Sequence, residues 1–384
     1  MDDSDLYSDE DLIDIPQEAI AAISSVCTAA ASISDFFHTD EFMNEDQRYV
    51  DHSEGVRDQL ATLRRTPSLF KVLTNFTLTE FEELCSKVCY VIAMNARSTG
   101  QQKIVSGRPP KLSPEQRVLH FVLYLKHDNI VQLEAYGWNY AYAPSSSCDD
   151  AIFVASCLNE ALEDELSWPD ERRRSMLAAR LPEFQGCIGH IDGTLVQIRR
   201  PSSKDKKKLH KKWYNGRKAI YAFNNTVIID HDGLFIYIDP GYPGSFHDVN
   251  ILRASDFHAN WRDYFRHDDE YFEYVLGDPG YIGEEMYIMR RVDRREATAD
   301  GDLSVADAFN AMHAGYRVKV EWGIGGLKRK WRRFMKLYDA SHQNFPHLFR
   351  AATVLTNFLQ RRRHDMAGEV GQLLVDDVDW GGDF

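Results

Sequence analysis

The sequence predicts an α/β domain built on a mixed sheet and preceded by a helical region. Helical periodicity dominates residues 56–182, strand-like runs take over from residue 183, and helix-forming segments around 245–255 and 317–334 follow or interrupt those strands. The strand-rich part opens with "CIGHIDGTLVQIRRP" (Cys187–Pro201), which carries a carboxylate, Asp192, inside a run otherwise suited to a buried strand.

The chain of 384 residues is 43% hydrophobic and 12% aromatic, enough to bury a sizeable core. Its net charge of −14 is unevenly spread. Residues 1–20 carry eight acids and no Lys or Arg, and the tail after Arg363 is acidic too. By contrast, residues 199–218 hold ten basic residues against one acid, and residues 317–336 hold eight against one. A nucleic-acid partner is therefore compatible with the acidic total, because the basic charge is concentrated where the strands and last helix fall. The six cysteines show neither C-x-x-C nor finger spacing, which fits a reduced, intracellular protein. The Ala/Ser-rich residues 19–37 follow an acidic start and are broken by hydroxyl residues, so neither a signal peptide nor a membrane span is expected.

Four regions follow: an acidic arm expected to be disordered (1–55), a helical region (56–182), the α/β domain (183–362) and an acidic tail (363–384). In the helical region, Phe81, Leu84, Cys85, Val88 and Ile92 share one helix face, which makes Cys85 and Cys89 core neighbours one turn apart. A second helix starts legibly, with Ser113 as N-cap, Pro114 at the first helical position and Gln116 completing a capping box. A third helix over 148–166 would complete a helix-turn-helix-like trio, but it carries six acids and no Lys or Arg. Phosphate repulsion makes it a poor groove reader, and a structural bundle is the expected role.

In the α/β domain, "CIGHIDGTLVQI" is a strand, and residues 221–240 form a hairpin around a "DHDG" turn. A helix follows near 245–255, then a strand ending at Gly277-Asp278, then the helix from Arg317. Asp192 in the first strand, Asp278 after the last and Glu321 near the start of the last helix can then converge. Three such carboxylates repel one another unless cations lie between them, and hard oxygen donors without a His/Cys set suit Mg²⁺ or Mn²⁺, two of which can clamp a phosphodiester. Taken singly, each acid is more simply a turn or strand-end residue.

Five segments in order, "GHIDGTLVQIRRP", "YNGRKAIYAFNNTVIID", "PGSFHDVNIL", "LGDPGYIG" and "FNAMHAGYRVKVEWGIGGLKRKWRRF", resemble the PIF/Harbinger-type DDE transposases and the nucleases derived from them. The resemblance implies an RNase H-like fold and a metal-dependent DDE triad falling on Asp192, Asp278 and Glu321, 86 and 43 residues apart. It further implies a DNA substrate and a separate Myb-like or SANT-like partner that finds the sites. Self-association is left open, and a nuclear location is the expectation.

Supporting roles are expected for His190, on the strand face of Asp192, for His247 and Asp248 at a helix start, and for Arg317, one turn before Glu321. Backbone contacts to DNA are expected from Lys206, Lys207, Lys208, Lys211, Lys212, Arg217 and Lys218, and from Lys328, Arg329 and Lys330. The glycines Gly323, Gly325 and Gly326 after Glu321 weaken helical preference by about 2–3 kcal/mol relative to alanine, which close packing on the sheet must offset. The leading expectation is a DNA-cutting enzyme of transposase type. The alternatives are a domesticated DNA- or chromatin-binding protein that does not cut, and a phosphodiesterase acting on RNA or smaller substrates.

Overall fold

The computed structural model describes residues 59–98, 112–127, 144–201, 211–268, 271–293, 303–338 and 342–370. The acidic arm, residues 371–384 of the acidic tail and Lys206, Lys207 and Lys208 lie outside the described residues, while residues 363–370 belong to the last helix. Five helices come first: α1 (Gln59–Arg64), α2 (Pro67–Thr74), α3 (Leu78–Ser98), α4 (Pro114–Lys126) and α5 (Pro144–Ala161), with α6 (Glu171–Ala178) leading into the sheet. The helix face expected from periodicity is the one buried in α3, with Phe81, Leu84 and Val88 fully inaccessible. The expected start of α4 is also observed: Ser113 Oγ accepts from the Gln116 amide, and Gln116 Oε1 accepts from the Ser113 amide.

The sheet has six strands: β1 (Cys187–Gln197), β2 (Tyr214–Asn215), β3 (Ile220–Ile229), β4 (Phe235–Pro243), β5 (Tyr274–Leu276) and β6 (Ile288–Met289). β1 pairs antiparallel with β3, which pairs antiparallel with β4, and on its other side β1 pairs parallel with β5, which pairs parallel with β6. This order, β4-β3-β1-β5-β6 with the short β2 on β3, is the RNase H-like mixed sheet. The antiparallel half follows from the tight turn at residues 230–233, where Asp230 Oδ1 accepts from the amides of Asp232 and Leu234. The parallel half needs long crossovers, and the short helices α7 (Asp248–Arg253), α8 (Asp256–Ala259) and α9 (Trp261–Tyr264) provide the first of them.

Two long helices complete the domain, α10 (Leu303–Lys330) and α11 (Phe345–Val370). α10 begins 14 residues before the expected start, and it runs unbroken through the three glycines. A Cβ on Gly323 would stand 2.5 Å from Ile229 Cδ1, so glycine there lets the helix lie directly on β3. The helical region and the sheet share one core. Leu119, Leu158 and Phe81 belong to the same buried cluster as Val196, Val227, Val320 and Leu355. Buried Arg333 links the two parts, donating to the Tyr124 carbonyl at 2.6 Å with its guanidinium 3.8 Å from the Tyr124 ring. The described residues, 59 to 370, therefore fall in one compact unit, without a break at residue 182. α5 packs against α3, α4 and α11 as a bundle helix. No helix among the described residues is long and apolar enough to cross a membrane.

Buried histidines make this fold acid-sensitive. His120 lies beside the Arg117–Asp150 pair, with Nε2 2.7 Å from Ser147 Oγ, and burial depresses its pKa from the usual 6.5 to about 4. Between those values the unfolded chain binds the extra proton and the folded chain does not, so this contribution is intact above pH 6.5 and is lost as the pH falls toward 4. The loss for His120 is about 3 kcal/mol. Urea unfolding at pH 7, 5.5 and 4.5 should show stability falling across that window, and a His120→Gln variant should show a shallower fall.

Candidate active site

β1 is hydrogen-bonded on both sides, so Asp192 is carried on the most constrained strand of the sheet. Strand alternation turns its side chain to the face covered by α10, the face that also buries Val196. Arg317 of α10 meets it there, with a nitrogen 3.1 Å from Asp192 Oδ2, while Oδ1 accepts from the Gly193 amide at 2.9 Å. The carboxylate is 19% exposed and the guanidinium 13%. Burial, helped by the negative charges of Asp278 and Asp248, pushes the Asp192 pKa up to about 6 against the opposing pull of Arg317 and the Gly193 amide.

Asp278 stands just past the end of β5, the parallel neighbour of β1, and its Oδ1 accepts from the Gly280 amide at 2.9 Å. Asp248 arrives from the opposite side of β1. Gly193 has no side chain, and the space that a Cβ would take is filled by the Asp248 carboxylate. Asn224 of β3 fixes that carboxylate by donating to Oδ1 at 2.7 Å. Burial, with Asp278 as a negative neighbour, raises the Asp248 pKa, while Asn224 opposes the rise. The sequence suggests for Asp248 both a helix-start charge and a supporting role; it begins α7, and tertiary packing sets its carboxylate against Gly193, the neighbour of Asp192 on β1. Gly193 and Asn224 were not singled out in the sequence. The only signals for them were a glycine directly after the strand aspartate and paired asparagines inside an apolar strand.

Glu321 lies one turn beyond Arg317 on α10, with its side chain exposed. His190 is fully buried, with Nε2 3.1 Å from His231 Nδ1, and His231 Nε2 lies 2.9 Å from the Cys187 carbonyl. It is part of the interior packing under β1 rather than of the open site, because burial favours its neutral form and pairs it inward. His247 is exposed at the N-cap of α7. Lys211, Lys212, Arg217 and Lys218 are exposed around β2. Of the second basic stretch, Arg329 is exposed and Lys330 half-buried, whereas Lys328 is turned inward to donate to the Leu195 carbonyl at 2.8 Å. The expectation that Lys328 holds a phosphate therefore gives way to a structural bond between α10 and β1. Burial lowers its pKa to about 8.

The donor set fits a divalent cation in its chemistry. It offers only hard oxygen donors, an excess of carboxylate over the single arginine, and a buried hydroxyl, Tyr281 Oη, without a hydrogen-bond partner among the described residues. Among the described residues, no three His, Cys, Asp or Glu side chains stand close enough as placed to enclose an ion. Arg317 supplies the positive charge that Asp192 has in this arrangement. Arg317→Met should destabilise the protein by about 2 kcal/mol, because it leaves a half-buried carboxylate beside two others. Adding Asp192→Asn should recover most of that loss in a double-mutant melting cycle.

Comparison with known proteins locates this geometry. Residues 191–357, from β1 into α11, match the family model described as DDE superfamily endonuclease. A curated relative, "Protein ALP1-like" from Arabidopsis thaliana, is 23% identical over 192 residues, 47% of this chain and 44% of the relative, so the chain spans less than half of that protein's length. No solved structure matches the chain. Endonucleases of this superfamily generally use divalent metals. With its mixed sheet and Asp192 on the central strand, the stretch 191–357, somewhat under half of the chain, is thus similar to the DDE superfamily endonucleases.

Proposed function

We propose that this protein is a divalent-metal-dependent DNA endonuclease of transposase type, with Asp192, Asp278 and Glu321 as its catalytic carboxylates. The observation that carries the reading is Asp192, a carboxylate set in the central strand and raised by burial and by Asp278 and Asp248. A folded protein tolerates that concentration of negative charge where a cation is to be received. A cation bound there supplies the positive charge that polarises a phosphodiester and eases deprotonation of an attacking water.

In this reading Asp192 and Asp278 would hold the Mg²⁺ or Mn²⁺, with Glu321 of α10 completing the set. Arg317, paired with Asp192 in this structure, would be placed to contact a phosphate. Lys211, Lys212, Arg217 and Lys218 hold the DNA backbone beside the strand that carries Asp192. The same active site can direct the freed 3′-hydroxyl into a second DNA. Site finding falls to a Myb-like or SANT-like partner, because the acidic α5 is packed into the bundle, and a nuclear location follows from the substrate.

One observation favours a second reading, a DNA-holding protein that does not cut. Arg317 already occupies one oxygen of Asp192, and Glu321 is exposed on α10. The two readings separate in a cleavage assay with supercoiled and linear DNA. Mn²⁺-dependent nicking should fall at least a hundredfold in Asp192→Asn, Asp278→Asn and Glu321→Gln, each of which should melt within a few degrees of the parent. DNA binding without cleavage by the parent in either metal would favour the second reading.

The basic surface is tested separately. Replacing Lys211, Lys212, Arg217 and Lys218 by alanine should weaken binding to any duplex and flatten the dependence of log affinity on log salt, by up to about 0.9 per lost phosphate contact. An unchanged slope would move the DNA track elsewhere.

A further inference from the structure

Tyr281 lies three residues beyond Asp278, in the turn between β5 and β6, and its amide donates to the Asp278 carbonyl at 3.3 Å. Its ring is wholly inaccessible and packs in the core beneath the sheet with Ile191, Leu252, Val275 and Ile288. Its hydroxyl has no hydrogen-bond partner among the described residues. That is unusual, because an unpaired buried hydroxyl costs about 1–3 kcal/mol and buried tyrosines nearly always find a partner. Tyr287, in the same core, shows the normal case: its hydroxyl lies 2.8 Å from His258 Nδ1 and donates to Glu284 at 3.2 Å.

The surroundings of the Tyr281 hydroxyl are rich in acceptors. Burial first, and then the negative charges of Asp248, Asp192 and Asp278, raise its pKa and keep it protonated and therefore a donor. Among the described residues, Asp248 accepts through Oδ1, from Asn224. Tyr281 shares its buried cluster with Ile191 of β1 and with Leu252, one turn along α7 from Asp248, and the Asp248 carboxylate fills the space under Gly193 on that side of β1.

We propose that Tyr281 is a positioning residue of the carboxylate site, whose hydroxyl donates to Asp248 Oδ2 when a divalent cation is bound and, with Asn224, fixes Asp248 from beneath β1. The proposal rests on the metal-site reading above. Outer hydrogen bonds of this kind change metal affinity by about 10- to 100-fold when removed, because they hold the carboxylates in the arrangement that the ion requires. A purely structural tyrosine would behave differently, since its hydroxyl would contribute to stability with or without the ion.

Tyr281→Phe keeps the ring and removes only the hydroxyl, and the test compares the full-length parent, Tyr281→Phe and Asp192→Asn. Melting in EDTA and calorimetric titration with Mn²⁺ are measured for each. Tyr281→Phe is expected to melt in EDTA at or above the parent temperature, because an unpaired buried hydroxyl has been removed, and to bind Mn²⁺ about tenfold more weakly, equivalent to about 1.4 kcal/mol. Asp192→Asn is expected to lose Mn²⁺ binding. Unchanged Mn²⁺ affinity in Tyr281→Phe, alongside loss in Asp192→Asn, would overturn the role of the tyrosine and leave the metal site standing. A Tyr281→Phe protein that melts clearly lower in EDTA would also overturn it, by showing that the hydroxyl is bonded without the ion. A parent that binds no Mn²⁺, or an Asp192→Asn variant that binds it normally, would overturn the metal-site reading and this inference with it.

Discussion

The ion pair between Asp192 and Arg317 is the contact on which the arrangement of the domain turns. A carboxylate held in a strand and mostly buried is fixed by the pairing of its backbone with β3, so its charge has to be met where it stands. The compensating guanidinium comes from α10, and it reaches Asp192 only if that helix lies flat on the sheet. Gly323 permits the approach to Ile229, and Lys328 ties the far end of the helix to the Leu195 carbonyl. The pairing thus fixes the position of the helix that also carries Glu321.

What holds α10 down extends into the helical region. Just beyond the helix, Trp331 is fully buried and donates to Thr356 of α11 at 2.9 Å, while Arg333 reaches across to Tyr124 of α4. α11 in turn packs against α5 and β4. The N-terminal helices therefore act as a buttress that keeps the α10 face against β1. This accounts for an acidic α5 in a protein whose exposed basic residues cluster around β2: its task is packing, with Asp150 paired to Arg117.

On the other face of β1 the organising feature is an absence of side chain at residue 193. That gap admits Asp248, and with it Asn224 and the neighbourhood of Tyr281, so the carboxylate cluster is built from both faces of one strand. A sheet centre with aspartates on either side of it concentrates negative charge, while exposed lysines and arginines concentrate positive charge around β2.

By itself the sequence determined whatever depends on near neighbours. The capping box of α4, the buried face of α3, the hairpin of β3 and β4, and the order of strands and helices from residue 183 were all legible, because each is set by spacings of a few residues. The motif segments likewise placed Asp192 and Asp278 on or just after strands that prove to be neighbours. Tertiary structure decided the rest. The two-residue β6 has no period to read, and α10 extends 14 residues upstream of its recognised part because packing outweighs its glycines. Lys328 and His190 carry charge or polarity that sequence alone assigns to a surface or a site, yet burial turned both inward. Asp248 shows the limit most clearly. Its helix-start role is local and visible, while its place beside Asp192 depends on a missing Cβ 55 residues earlier, a contact that only the folded chain brings about.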